Sequence, residues 1–396
     1  MQLSKTLSAL ALLGAVIPAA HALSIKDDTV KLGVGIRLQT RATVADATGQ
    51  DGNEYRVQSG TVNAVNDPID FQIRRSRLYL KIGYGENWKG ELAFNADDID
   101  SAGSSSGSRA LNVRYAWAQR IFKLEGEGMS HALAFGLMKP LGNSAADASM
   151  STSRALFPTE SATAVLASYR EIGLEWTFNH PMFLLALDLF QNEAGKDSTT
   201  ALSAAESEGL MFGGRVEFSF SPEWFIAKRA ESYLGKEGHG VNFGISALSN
   251  QDTVTTTSLV TTTGVGVDVM FWYNALSAFA EYRTQTVDTE LLAGGSSDVT
   301  SEAIVVQAGW AFPLENGCVV EPCVRINLID NNTDNDSETP NYGSGALGGS
   351  GTQIDIGINY YLDGHNNKLQ LAYQMWEAEE GEADASIIRL QHQLNF

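Results

Sequence analysis

The sequence predicts an all-β fold, an up-and-down antiparallel barrel of about 16 strands that crosses a membrane. Three observations lead there. Apolar and polar residues alternate with period two through segment after segment of the 396-residue chain. The connections between these segments alternate between short and long. After the first 22 residues, no stretch holds the roughly 18 consecutive apolar residues of a membrane-spanning helix.

The chain opens with "MQLSKTLSALALLGAVIPAAHA", in which Lys5 precedes an apolar run from Leu7 to Ile17 and Ala20-His21-Ala22 forms an A-x-A site. That pattern is a cleaved signal peptide over residues 1–22, which leaves residues 23–396 as one exported domain. In "VKLGVGIRLQTR" the even positions from Val30 to Leu38 are apolar, and the odd ones carry Lys31, Arg37, Gln39 and Arg41. "FQIRRSRLYLKIGYGENWKGELAF" (Phe71 to Phe94) continues the pattern: Leu78, Leu80 and Ile82 share one face, and Arg75, Arg77 and Lys81 share the other. Further alternating segments run from "LNVRYAWAQR" to "SIIRLQHQLNF", each near the 10 residues or so that a tilted strand needs to cross a bilayer.

Short turns ("GENW", "NHPM", "YNAL", "LDGHNN") alternate with long polar loops such as 45–70, 140–168 and 331–352. One rim of a membrane barrel carries short turns and the other long loops, whereas a soluble sandwich has no reason to segregate them. The connection from Ser221 to Gly238 breaks this rule, being long where a short turn is due. Lipid can cover the Leu, Ile, Val and aromatic face, and a water-filled lumen can solvate the Arg, Glu, Asp and Gln face. Aromatics at strand ends, among them Tyr84, Trp88, Trp176, Phe178, Phe220, Trp310, Phe312, Tyr360 and Tyr361, read as interfacial girdles.

The net charge of −20 argues against nucleic acid as a partner, because a backbone-tracking surface must be basic. Cys318 and Cys323 are either a small-loop disulfide, permitted in an oxidising compartment, or free thiols. Neither they nor the scattered histidines complete a zinc site, and no G-x-S-x-G or paired-His motif appears, so neither metal nor cofactor nor enzymatic activity is expected. "DNNTDNDSE" alternates oxygen ligands but lacks the glycine turn of an EF-hand, and reads as a solvated loop. A structural or adhesive barrel and a barrel enzyme remain as alternatives to a channel.

The Arg-rich strand, the turn "GENW" and the Lys-entered strand after it resemble the signature of the phosphate-selective porin O and P family. "NYYLDGHNNKLQLAY" and the last strand ending in Phe396 are similar to that family's final hairpin. The resemblance implies a 16-stranded outer-membrane porin of Gram-negative type, a homotrimer, with a third long loop folded inward. Here "PLGNSAADASMSTSRALFPTESATAVLAS" occupies that position, which makes Arg154, Phe157 and Glu160 candidates for a constriction. The solutes it implies are small and hydrophilic, phosphate among them; outer-membrane lipids and lipopolysaccharide would surround the barrel.

By strand parity, Arg37, Arg41, Arg75, Arg77, Lys81, Arg114, Arg120, Arg215, Arg283, Arg325 and Arg389 face the lumen. Opposing carboxylates are Glu91, Asp97, Glu171, Glu175, Asp188, Glu217, Asp268, Glu281 and Asp355. Basic groups along one wall and acidic groups along another set a transverse field, and an Arg/Lys lining favours anions.

Overall fold

A computed structural model of the chain describes residues 24–26, 29–47, 55–56, 61–62, 70–96, 99–100, 111–125, 128–148, 156–159, 161–166, 170–192, 209–220, 232–255, 258–291, 294–330, 333, 350–378 and 385–396. The alternating segments fold as sixteen long strands among these residues. They are β1 (Val30–Ala47), β2 (Asp70–Tyr84), β3 (Trp88–Asn95), β4 (Asn112–Lys123), β5 (Ser130–Met138), β6 (Glu171–His180), β7 (Phe183–Asn192) and β8 (Gly209–Ser219). The second half holds β9 (His239–Thr255), β10 (Ser258–Tyr273), β11 (Leu276–Leu291), β12 (Ser296–Trp310), β13 (Val319–Asp330), β14 (Gly351–Asp363), β15 (Asn367–Ala378) and β16 (Ala385–Asn395). Each pairs antiparallel with its sequence neighbour.

The sheet closes on itself. β1 pairs with β16 from Arg37↔Asn395 to Ala47↔Ala385. The terminal residue seals the seam, because Phe396 N–H donates to the Ile36 carbonyl (2.8 Å) and Ile36 N–H to the Phe396 carbonyl (3.1 Å). Closure removes the row of unpaired backbone groups that an open edge would hold against hydrocarbon.

Burial is inverted relative to a soluble protein. Along β10, Val265, Val267, Val269 and Phe271 lie on the open outer face, while Asp268 between them is buried. β13 repeats this, with Val324, Ile326 and Leu328 outside and Cys323, Arg325 and Asn327 inside. Buried polar and charged residues, many of them Arg, Glu, Asp, Gln and Asn, outnumber buried hydrophobic ones among the described residues, so the interior of the cylinder is the polar side. Tyr84, Trp88, Phe122, Tyr273, Trp310 and Phe312 crowd the outer face beside the short turns, where a belt of aromatics meets the headgroups. Tyr361 is a correction to that belt: it lies on the inner face, fully buried.

Two of the register shifts among the described strands move candidate wall residues. In β2, Gln39 faces Arg75 and Thr40 faces Ile73, so Arg74 is the inserted residue and both adjacent arginines are buried inside. In β4, Ala93 faces Tyr115 and Phe94 faces Val113, so Arg114 is inserted. Beyond that bulge the even residues turn outward, which carries Arg120 to the outer face. The expectation that Arg120 faces the lumen is therefore wrong. Its guanidinium lies over the rings of Trp88 (5.4 Å) and Phe122 (4.9 Å) at the short-turn rim, an aromatic platform for a cation at the headgroup level. Beside it Lys123 pairs with Glu86 in the first short turn (2.5 Å), and that ammonium holds the Glu86 carboxyl below the usual carboxylate range.

The disulfide alternative is also corrected, since both Cys318 and Cys323 are free and buried. Five residues of near-extended chain separate their Cα atoms by about 16 Å, against an upper limit of about 7 Å for a bridge.

The outer face makes a direct test of the barrel's orientation. Replacing Val267, in the middle of the outer valine row of β10, by Arg is expected to cost about 2–4 kcal/mol in equilibrium unfolding from vesicles. An unchanged unfolding midpoint would mean that this face does not meet hydrocarbon.

Candidate functional site

The inner wall from β13 through β16 to β1 and β2 is built from cross-strand rungs. Register places Glu321, Asn359, Gln370, Gln391 and Arg41 side by side on five successive strands. Their side chains form one directed chain of hydrogen bonds. Arg41 Nη2 donates to Gln391 Oε1 (2.9 Å), Gln391 to Gln370 (3.2 Å), Gln370 to Asn359 (3.1 Å) and Asn359 to Glu321 (3.4 Å). A cation at one end and a carboxylate at the other polarise the amides between them in the same sense. The rung nearer the short turns runs Tyr361, Lys368, Gln393, Gln39, Arg75. There Arg75 Nη1 donates to Gln39 Oε1 (2.8 Å), Gln39 donates to Gln393, and Lys368 Nζ sits 5.7 Å from the Tyr361 ring centroid. Tyr361 OH joins the two rungs by donating to Glu321 (2.5 Å).

On the long-loop side of these rungs, Asp355 gathers Arg325 (2.6 Å), Gln374 (2.6 Å) and Gln353 (2.8 Å). Arg389 lies within electrostatic reach of Asp355, Arg325 and Arg74. Arg37 donates to Asn395 Oδ1 (3.0 Å) and stacks over Tyr79 (5.3 Å). Arg77 is buried on the same face, and Lys81 shares it at the open rim, within reach of buried Glu91.

The wall from β6 to β11 is acidic. Glu171, Glu175, Asp188, Glu217, Asp268 and Glu281 are all buried inside. Arg215 is clamped there by Asp268 (2.7 and 2.8 Å) and Glu217 (2.9 Å), with Gly244 opposite: a Cβ on Gly244 would lie 2.0 Å from the guanidinium. Arg283, also buried, donates to Ser246 (3.3 Å).

The third long connection, between β5 and β6, bonds to both walls, and all but one of these bonds sort by charge. Three of its N–H groups go to the acidic wall: Gly142 to Asp188 (2.7 Å), and Ala145 (2.7 Å) and Ala146 (3.2 Å) to Glu281, which also accepts from the Thr163 hydroxyl (2.8 Å); a fourth, Ala162, donates to Asn327 Oδ1 (3.0 Å) on the opposite wall. Its carbonyls go to the basic and amide wall. Leu156 accepts from Asn359 (2.9 Å) and Gln370 (3.0 Å), Pro158 from Arg41 (2.5 Å), and Thr159 from Arg325 (3.0 Å). Phe157 is buried with the Arg325 guanidinium 4.8 Å from its ring centroid. Of the other loop candidates, Arg154 and Glu160 lie outside the described residues, as does Asp97 of the acidic set.

Arg74, Arg170, Glu321 and Lys368 are not among the wall residues expected from the sequence. Arg74 is the bulge residue, and Arg170, just ahead of β6, reaches the Tyr115 ring that Arg114 also covers (5.1 and 5.8 Å). Glu321 and Lys368 do obey parity, but only the cross-strand register reveals that they join one network. Among the described residues, no group of three or more His, Cys, Asp or Glu side chains is arranged to hold a metal ion.

A closed barrel with an apolar outer belt, a charged inner wall and a loop bonded across it is an outer-membrane channel protein. The family model "Phosphate-selective porin O and P" matches residues 46–396, and the chain belongs to that family. No curated protein sequence matches the chain. Its fold is similar to the outer membrane channel DcaP of Acinetobacter baumannii (14% identity, TM-score 0.54, covering 94% of this chain and 99% of that one). It is also similar to the loop L8 deletion mutant of OmpT, an outer membrane protein of Vibrio cholerae (11%, 0.54, 93% and 100%). A third is an anion-selective porin from Comamonas acidovorans (11%, 0.52, 93% and 100%). At these identities the likeness is one of fold.

The Arg325–Asp355 pair tests whether the wall is held by its own charges. Asp355→Leu strands a buried guanidinium and is expected to lower unfolding stability by roughly 3–5 kcal/mol, with the double variant Arg325→Met/Asp355→Leu recovering most of the loss. A loss in the double variant equal to the sum of the Asp355→Leu and Arg325→Met single losses would show that the pair makes no coupled contribution.

Proposed function

We propose that this porin is a passive channel for small hydrophilic solutes with a preference for anions, phosphate among them. The observation that carries the reading is the concentration of Arg37, Arg41, Arg74, Arg75, Arg77, Arg325 and Arg389 on one stretch of inner wall, β13 to β2. Several of these guanidiniums donate to neutral acceptors: Arg37 to Asn395, Arg75 to Gln39, and Arg41 to Gln391 and a carbonyl. The acidic wall is engaged differently, since Asp188 and Glu281 accept loop N–H groups and Asp268 and Glu217 clamp Arg215. Its negative charge is thereby partly met by fixed donors.

In this reading the third connection is the constriction, held by bonds to both walls, with Phe157 at an anchored point and Arg154 and Glu160 near it in the sequence. Residues 1–22 are a signal peptide cleaved on export, and residues 23–396 are one barrel domain surrounded by outer-membrane lipid and lipopolysaccharide. The assembly is a homotrimer, a proposal supported by the family and by the trimer form of OmpT from Vibrio cholerae. Unheated protein should therefore migrate near three times its monomer mass in native electrophoresis; migration at monomer mass would remove the trimer.

Replacing Arg75, Arg77 and Lys81 together by Gln is expected to move the zero-current potential toward the cation side while the barrel still folds. The shift should be largest near 0.1 M salt and shrink toward 1 M, as the Debye length falls from about 10 Å to about 3 Å. An unchanged potential at low salt would make this part of the basic wall structural and leave a general-diffusion pore.

A further inference from the structure

The connection between β8 and β9 leaves the barrel at the short-turn rim, yet residues 232–238 pack against the inner face. The reason lies in what the wall presents there. Deeper inner positions on β10 and β11 are Asp268, Glu281 and Arg283, but nearer this rim they become Met270, Trp272 and Phe279, and Val305 of β12, level with Glu281, joins them. Such a patch facing lumenal water would be left uncovered. Tyr233 covers it, with its ring stacked on Trp272 at 4.8 Å and an interplanar angle of 4°. Both rings are buried, and Ala145 of the third connection packs into the same cluster.

The segment is anchored at several points. Tyr233 N–H donates to Ser277 (3.0 Å) on β11, and Ser232 Oγ donates to Glu321 (2.6 Å) on β13. The Ser232 carbonyl meets His365 Nε2 (3.2 Å) in the turn after β14, and Leu234 packs on Ala311, Val319 and Tyr361. Two glycines make the fit possible. Gly240 opposes Trp272, where a Cβ would lie 2.0 Å from the indole, and Gly235 adopts φ +71° against Pro313. Anchored on β10, β11, β13 and the turn after β14, this is a built contact and not a chance approach of a loop.

We propose that Ser232–Gly238 forms a second, fixed constriction at the short-turn end of the lumen, with the buried Tyr233 as the anchor that holds the segment on the inner wall. Solutes that pass the third connection then meet this segment before leaving the barrel. The transport consequence rests on the porin reading above.

The test is Tyr233→Ala reconstituted in planar bilayers and in liposomes. Single-channel conductance in 1 M KCl is expected to rise roughly 1.5- to two-fold, and liposome swelling with uncharged disaccharides to accelerate more than swelling with glycerol. Heat-modifiable migration in electrophoresis reports that the variant is folded. If the Ala variant does not fold, Tyr233→Leu keeps an apolar cover on Trp272 with a shorter reach, and a smaller rise in the same direction is expected. Wild-type conductance and swelling rates in a folded variant would overturn the second constriction. A wild-type barrel that gives no conductance steps would overturn the porin reading itself, a result separate from the variant's.

Discussion

A strand in hydrocarbon has no water to satisfy its N–H and C=O groups, so every one of them must bond to a neighbouring strand. That requirement forces the sheet to close, and closure decides most of the remaining architecture. Pairing of β1 with β16, completed by Phe396, turns sixteen strands into a cylinder with no exposed edge along the seam. Two environments then exist, lipid outside and a polar interior, and each strand must serve both at alternate residues. Charged side chains on Arg75, Arg215 or Arg325 are tolerated only because the cylinder turns them inward.

Once inside, these groups must satisfy each other, and the antiparallel register decides how. The rung from Arg41 to Glu321 is a row of cross-strand neighbours whose donors all point the same way. The opposite wall is rich in carboxylates, so the interior carries a transverse separation of charge. The third connection reports that field. Gly142, Ala145 and Ala146 N–H settle on Asp188 and Glu281, and its carbonyls settle on Arg41, Arg325, Asn359 and Gln370, with Ala162 N–H on Asn327 the one exception among these bonds. An anion in the lumen would experience the same field, which links the packing of the loop to the proposed selectivity.

Period two along the chain is enough to read the strand number, the sense of the two faces and the short-turn rim. The Arg-rich β2 can be read as an inner basic wall because its alternation is clean from Arg75 onward. Parity fails at an inserted residue, and a bulge leaves no mark in a single sequence. Arg74 escapes a parity reading and Arg120 is misplaced by it for that one reason. Tyr361 looks like part of the outer girdle because aromatic residues at strand ends usually are; the β14 register instead turns it toward Glu321. The rungs and the Tyr233–Trp272 stack join residues far apart along the chain, and only the closed barrel brings them together. The unusual length of the β8–β9 connection is visible in the sequence, but its packing site is not.

The most direct measurement of the central claim is the zero-current potential of the wild-type protein in a planar bilayer under a KCl gradient at low salt. If the basic wall governs the ions that pass, the potential lies displaced toward the chloride equilibrium value and moves back toward zero as both solutions are raised to about 1 M. A potential displaced toward the potassium value at low salt would contradict the account, because the acidic wall would then dominate the lumen despite its bonds to the loop and to Arg215.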